Sequence, residues 1–139
     1  VTNMSSAYQN CTKLAGPPVC GPKVTSMYYT YYNCSNLTGV PVCGPNVDTM
    51  YYTYYGCANL SSNGYFYSNA ITSVRNCFGG RNTNNRLDLY VPEYSSTLST
   101  CLSTGASTSL VGADITWTNS FATDGCFYNT THNIYIYRQ

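Results

Sequence analysis

A self-repeat of 23 residues runs through the first half of this chain and constrains its fold more than any other feature. Val1-Thr2-Asn3-Met4, Val24-Thr25-Ser26-Met27 and Val47-Asp48-Thr49-Met50 each open a unit, and each unit reaches a cysteine at the same place: Cys11, Cys34, Cys57. The second and third units are near copies. Met27-Tyr28-Tyr29-Thr30-Tyr31-Tyr32-Asn33-Cys34 lines up with Met50-Tyr51-Tyr52-Thr53-Tyr54-Tyr55-Gly56-Cys57. A fixed period of this length signals stacked supersecondary units rather than a conventional globular core. Each unit covers its neighbour's apolar face, so the array presents long lateral surfaces.

Within a unit the apolar residues fall in two arms. After Cys34 come Leu37, Val40, Val42, Val47, Met50 and Tyr54; after Cys11 come Leu14, Pro17, Val19, Val24, Met27 and Tyr31. Val40 and Val42 alternate with period two, which predicts a short strand with both side chains inward. Met50 and Tyr54 are one helical turn apart, so the Met-Tyr-Tyr-Thr-Tyr-Tyr arm is predicted to form a helical or 3₁₀ turn. Gly21-Pro22 and Gly44-Pro45 mark the bend between the arms. The expected architecture is three coils with parallel strands centred near Val19, Val42 and Phe66.

These residues resemble a known family. Cys-x-x-Leu-x-x-Val-x-Val followed by Val-x-x-Met-x-x-Thr-Tyr is similar to the BspA-like leucine-rich repeat of bacterial surface and gut-phage tail-associated proteins. That family also places a small residue before an aromatic in the helical arm, here Ala7-Tyr8, Thr30-Tyr31, Thr53-Tyr54 and Cys77-Phe78. The resemblance spans residues 1 to about 92 and implies an α/β-type repeat solenoid with short parallel strands and short helical or 3₁₀ turns. Pro17, Pro18 and Pro41 depart from it. Proline cannot donate to a strand ladder, so the sheet must be short or irregular there.

The third unit gains one residue in the stretch 61–67, and the pattern breaks after Cys77-Phe78 at Gly79-Gly80-Arg81-Asn82. The coils therefore occupy 1–78. Residues 79–139 are expected to form a β-rich cap that hides the last open edge. Arg86–Val91, Ile115–Thr118 and Ile134–Tyr137 alternate as strands, and a Ser/Thr-rich helix candidate spans Ser95 to Ser103. Val1 falls inside a repeat, so the chain reads as a piece of a longer array.

Six basic and five acidic residues give a net charge of +1, which leaves no electrostatic footprint for nucleic acid. No apolar run approaches the ~20 residues of a membrane helix, so membrane insertion is not expected. Low charge with abundant Thr, Ser, Asn and Tyr suits an extracellular location, on a cell surface or virion. Asn-x-Ser/Thr sequons start at Asn3, Asn10, Asn33, Asn36, Asn59 and Asn129, as such a composition also produces by chance.

Eight cysteines would fit a disulfide framework in an oxidising setting. Stacking argues otherwise for Cys11, Cys34 and Cys57, which share one position in successive coils and are expected as a buried, reduced column. Cys20 and Cys43 should point outward on neighbouring strands about 4.8 Å apart, which leaves a disulfide open between them; Cys101–Cys126 in the cap stays equally open. No Cys-x-x-Cys occurs and His132 is the single histidine, so neither zinc nor any other cofactor is expected. There is no Gly-x-Ser-x-Gly elbow and no phosphate loop or dinucleotide fingerprint. Asp48, Asp88, Glu93, Asp114 and Asp124 are scattered, and the chain is not expected to be an enzyme.

The tyrosines carry the functional expectation: sixteen, against four Phe and one Trp. With Met27 and Tyr31 inward, Tyr28, Tyr29 and Tyr32 lie partly outside, and Tyr51, Tyr52 and Tyr55 repeat them one coil on. Tyrosine offers stiff, amphipathic contact area at low entropy cost. Six stacked tyrosines fit a recognition or adhesion surface for glycan or a host-surface protein. They fit equally a structural role, in which the flank is buried between the subunits of a homo-oligomer, a fibre or a virion-decorating protein.

Overall fold

The computed structural model describes residues 1–16, 21–39, 44–65, 71–91, 110–111 and 126–138. Parallel bridges Asn3↔Ser26, Ser26↔Thr49 and Thr49↔Ser73 lay four successive units side by side. Around them the backbone bonds follow one scheme. The N–H groups of Met27, Tyr29, Tyr31 and Asn33 donate to the carbonyls of Thr49, Tyr51, Thr53 and Tyr55 in the next unit. Met4, Ser6, Tyr8 and Asn10 donate likewise to Ser26, Tyr28, Thr30 and Tyr32, and Met50, Tyr52, Tyr54 and Gly56 to Ser73, Arg75, Cys77 and Gly79. The extra residue of the third unit is absorbed before Ile71, and the register resumes.

The intervening N–H groups turn back on their own arm: Thr30 donates to the Met27 carbonyl, Tyr32 to Tyr29, Cys34 to Tyr31. Each arm is thus a ribbon of overlapping four-residue turns, and no helix occurs among the described residues. The expected helical or 3₁₀ turn is replaced for a definite reason. Every fourth residue has left-handed φ, at Ser6 and Asn10, Tyr29 and Asn33, Tyr52 and Gly56, Asn76 and Gly80, whereas a helix needs right-handed φ throughout and spends every N–H internally. The ribbon repeats every four residues. Met50 and Tyr54 therefore share a face just as they would on a helix.

Inward positions form columns. Met4, Met27, Met50 and Val74 make one, Val24, Val47 and Ile71 another, Leu37 and Leu60 a third, all buried. Tyr8, Tyr31, Tyr54 and Phe78 stack in a file at centroid spacings of 5.4, 5.5 and 5.2 Å. Thr30 and Thr53 are buried beside them, and their hydroxyls donate to the carbonyls of Met4 (2.9 Å) and Met27 (2.7 Å) in the preceding unit. Asparagines do similar work at the rim: the Asn36 and Asn59 amides donate to the Thr12 and Ser35 carbonyls at 2.6 and 2.9 Å.

The cysteine column needs one correction. Cys34 and Cys57 are buried and free, each donating a thiol bond to the preceding unit (Cys34 to the Tyr8 carbonyl, Cys57 to that of Tyr31). Cys11 is exposed, because it belongs to the first unit and no described residue covers its outer side. Cys77, also buried, takes the position of Thr30 and Thr53 instead. Counting on from Cys57, the column continues into Arg81.

Among the described residues four strands close the far end: β1 (Ser62–Tyr65), β2 (Leu87–Val91), β3 (Cys126–Asn129) and β4 (Ile134–Arg138). Their order is β1-β2-β4-β3, with β1/β2 and β2/β4 parallel and β3/β4 antiparallel. Leu87, Leu89, Ile134 and Ile136 are buried, while Asp88, Tyr90, Tyr135 and Tyr137 lie half-buried at the alternate positions. This period-two split is what a sheet covered on one face requires. The Phe78 N–H donates to the Leu110 carbonyl at 2.9 Å, so the chain returns alongside the last unit. The strand centres expected at Val19, Val42 and Phe66, the run Ile115–Thr118, the helix candidate from Ser95 to Ser103, and Cys20, Cys43 and Cys101 lie outside the described residues.

Candidate functional site

The turn ribbon decides where the outer tyrosines go. Because units repeat in register, Tyr28 sits over Tyr51, Tyr29 over Tyr52 and Tyr32 over Tyr55, at centroid distances of 5.0, 5.0 and 5.3 Å with ring planes within 4°, 2° and 13° of parallel. Lateral contacts knit the three rows together: Tyr28–Tyr29 at 4.4 Å, Tyr29–Tyr32 at 5.0 Å, Tyr51–Tyr52 at 4.6 Å and Tyr52–Tyr55 at 5.2 Å. All six tyrosines singled out from the sequence form one contiguous flank. Tyr28 is the most open, 42% exposed, and the other five are half-buried. Burial, and then the neighbouring phenols, push the Tyr29 hydroxyl up to about 12.

Stacking has a chemical consequence. Each ring gives one face to its stacked partner, so the flank offers a ligand its edges and hydroxyls along its length. Sugar stacking is confined to the face each ring turns away from its partner. The rows finish in three ways on the fourth unit. Arg75 follows Tyr51, its guanidinium 5.7 Å from the ring centroid. Asn76 follows Tyr52. Gly79 follows Tyr55, and a side chain there would strike that ring, since an added Cβ would lie 2.7 Å from Tyr55 Cδ2.

A second cluster lies on the half-buried face of the sheet. The Arg86 Nε donates to both Asp88 carboxylate oxygens at 3.0 and 3.1 Å, and its Nη2 donates to the Tyr137 hydroxyl at 2.8 Å. The Tyr137 hydroxyl donates in turn to Asp88 at 3.0 Å. The Arg86 guanidinium also lies 3.8 Å from the centre of the Tyr135 ring, and Tyr135 and Tyr137 stack on Tyr128 and Tyr90. Hydrogen bonding to Asp88 raises the Arg86 pKa, and burial raises that of Tyr137. Sequence reading missed this group because its members come from Arg86, just before β2, and from β2, β3 and β4, whose pairing no local pattern specifies.

The third feature is Arg81, which occupies the cysteine column's next position and is only 8% exposed. Its Nη1 donates to the carbonyls of Asn85 and Asn82, its Nη2 to those of His132 and Asn133. The Nε atom is buried with no partner. No carboxylate among the described residues pairs with this guanidinium, and burial alone lowers its pKa to about 10. Beside it is a cleft of about 210 Å³ lined by Phe78, Gly80, Arg81, Thr83, Val111 and His132. Counting 24 residues on from Cys57 would have found Arg81; the cleft has no sequence signal, because it forms where the coils meet the β3–β4 turn.

Among the described residues no three His, Cys, Asp or Glu side chains converge on a point that could hold a metal ion, and no helix is long and apolar enough to cross a membrane. Cys126 opens β3, and Cys101, its open partner, lies outside the described residues. The chain matches no protein-family model, and no curated protein or solved structure matches it.

Proposed function

We propose that this chain is a non-catalytic recognition or adhesion module, a leucine-rich-repeat-like solenoid with a β-rich C-terminal cap, borne by a bacterial surface protein or a phage tail-associated fibre. On this reading it acts outside the cell and binds glycan or a host-surface protein along the tyrosine flank. One observation carries it: Tyr28, Tyr29, Tyr32, Tyr51, Tyr52 and Tyr55 gather in three registered rows on one side. A regular comb of phenol edges and hydroxyls about 5 Å apart suits repeated polar groups on an extended partner. The resemblance to BspA-like repeats supplies the biological setting.

The edge-on geometry makes the test sharp. Tyr28→Phe combined with Tyr51→Phe preserves the stacked rings and removes two hydroxyls. A glycan array, followed by titration of any hit, should show binding weakened roughly tenfold or more, as for lost hydrogen bonds at an anchor. The unfolding midpoint should stay unchanged. Full retention of binding would sink the tyrosine flank as the recognition surface.

The face-to-face stacking also favours a second reading, a fibre-forming or virion-decorating protein whose flank is buried between subunits. Size-exclusion chromatography separates the two. A monomer that loses ligand in the Phe variants supports recognition, while an oligomer that dissociates in them supports the structural role.

A further inference from the structure

Arg81 poses a question that its structural role leaves unanswered. Its four carbonyl contacts tie the end of the coils to the β3–β4 turn. A neutral amide donor could make some of these contacts without the desolvation cost of a buried charge, which is several kcal/mol for an unpaired ion. Buried cations are ordinarily paired with an anion. None of the described residues supplies one, and Nε still lacks an acceptor.

The cleft beside Arg81 has the complementary donors. At the matching position in earlier units, the N–H of Asn33 and of Gly56 donates to the next unit, to Tyr55 and Gly79. The Gly80 N–H, next in that series, has no acceptor among the described residues, and neither does the Thr83 hydroxyl. Both residues line the cleft, together with His132. Phe78 and Val111 give it an apolar wall. Its volume of about 210 Å³ is on the scale of a single sugar ring.

We propose that this cleft is a subsite for an acidic sugar, its carboxylate set against the Arg81 charge, Gly80 N–H and Thr83 hydroxyl, and its ring against Phe78 and Val111. Neutral sugars lack the countercharge, and a bare small anion leaves the apolar wall unused. The site stands on its own geometry. It borders the tyrosine flank where Tyr55 packs on Gly79 and Gly80.

The test is a titration of the full chain by ¹H–¹⁵N NMR with sodium glucuronate, glucose and sodium acetate in turn. Glucuronate should give saturable shifts centred on Gly80, Thr83 and His132. Acetate should bind the same residues at least roughly tenfold more weakly, and glucose should not bind there. Arg81→Gln should abolish binding. Because that variant also loses the carbonyl clamp, Thr83→Val, at an exposed position, is the companion. It should weaken glucuronate by roughly five- to tenfold, as for a lost bond to a charged group, with folding unchanged. No saturable shift with glucuronate, equal affinity for glucose or acetate, or indifference to Thr83→Val in a folded protein would each overturn the proposal. If the tyrosine variants lose glycan while glucuronate still binds the cleft, the flank reading fails alone; the reverse result removes the cleft alone.

Discussion

At Tyr52 the sign of a mutational effect, and not only its size, tests the turn ribbon. Its φ is 55°, a left-handed conformation that costs an L-residue about 1–2 kcal/mol. Tyr52→Ala and Tyr52→Gly remove the same ring and the same contacts to Tyr29, Tyr51 and Tyr55, at 5.0, 4.6 and 5.2 Å. Three aromatic pairs at about 0.5–1.5 kcal/mol each put both variants about 2–4 kcal/mol below the native chain. Between them only the backbone differs. Alanine keeps the left-handed strain and glycine sheds it, while glycine's freer unfolded chain returns about 0.4–1 kcal/mol. The balance makes Tyr52→Gly more stable than Tyr52→Ala by about 1 kcal/mol. Thr53, next in sequence, is outside the left-handed set, so there the order should invert, with Thr53→Gly below Thr53→Ala by about 0.5–1 kcal/mol. Urea unfolding of the four variants, followed by circular dichroism, measures both differences. Tyr52→Ala equal to or above Tyr52→Gly would refute the ribbon.

Other positions give further checks. Tyr54 is fully buried between Tyr31 and Phe78, so Tyr54→Ala should cost about 3–5 kcal/mol by the same unfolding assay. Gly79 is buried under Tyr55, and an added Cβ would meet Cδ2 and Cε2 of that ring at 2.7 and 2.8 Å; Gly79→Ala should cost about 1–3 kcal/mol as overpacking, and a neutral result would show that the row does not end there. The thiols should divide by burial. Native-state labelling with a thiol reagent should modify Cys11 fast and Cys34 and Cys57 slowly. Burial pushes the Cys57 thiol up to about 12, so as pH rises the unfolded chain, with an ordinary thiol pKa of about 8.5, ionises first. Stability is then full below about pH 8.5 and falls progressively toward pH 12. Cys57→Ala should flatten part of that alkaline loss.

The period and the inward columns were legible from residues 1–60 alone, because stacking forces the same position to face the same neighbour in every unit. Met27, Tyr31, Cys34 and Leu37 could be placed inside by that rule without knowing the backbone path. The path itself was not legible. A spacing of four between Met50 and Tyr54 fits a helix and a turn ribbon equally, and the deciding fact is a left-handed Tyr52, which sequence reasoning does not expect of an aromatic. Asn33 and Gly56 did carry a hint, since Asn and Gly tolerate left-handed φ and sit at equivalent positions. Cys11 differs from Cys34 and Cys57 because no described residue stacks on its outer side. The Arg86–Asp88–Tyr137 cluster and the Arg81 cleft stayed out of view, being products of how the array stops.

How it stops is where the chemistry collects. The four outer and core aromatic files all change character on the fourth unit: Tyr51 gives way to Arg75, Tyr52 to Asn76, Tyr55 to Gly79 and Tyr54 to Phe78. The thiol column gives way to a guanidinium at the same step. An interior unit cannot host such groups, since a charge or a bare glycine there would leave the next ring unstacked and the next thiol crowded. The fourth unit can, because its outer neighbours include Leu110 and the β3–β4 turn. Those residues offer carbonyls where an interior neighbour offers a matching ring. The same break that ends the Tyr32–Tyr55 row leaves the Gly80 N–H without an acceptor among the described residues. Regularity along the array therefore builds the long lateral flank, and its interruption builds the cleft beside Arg81.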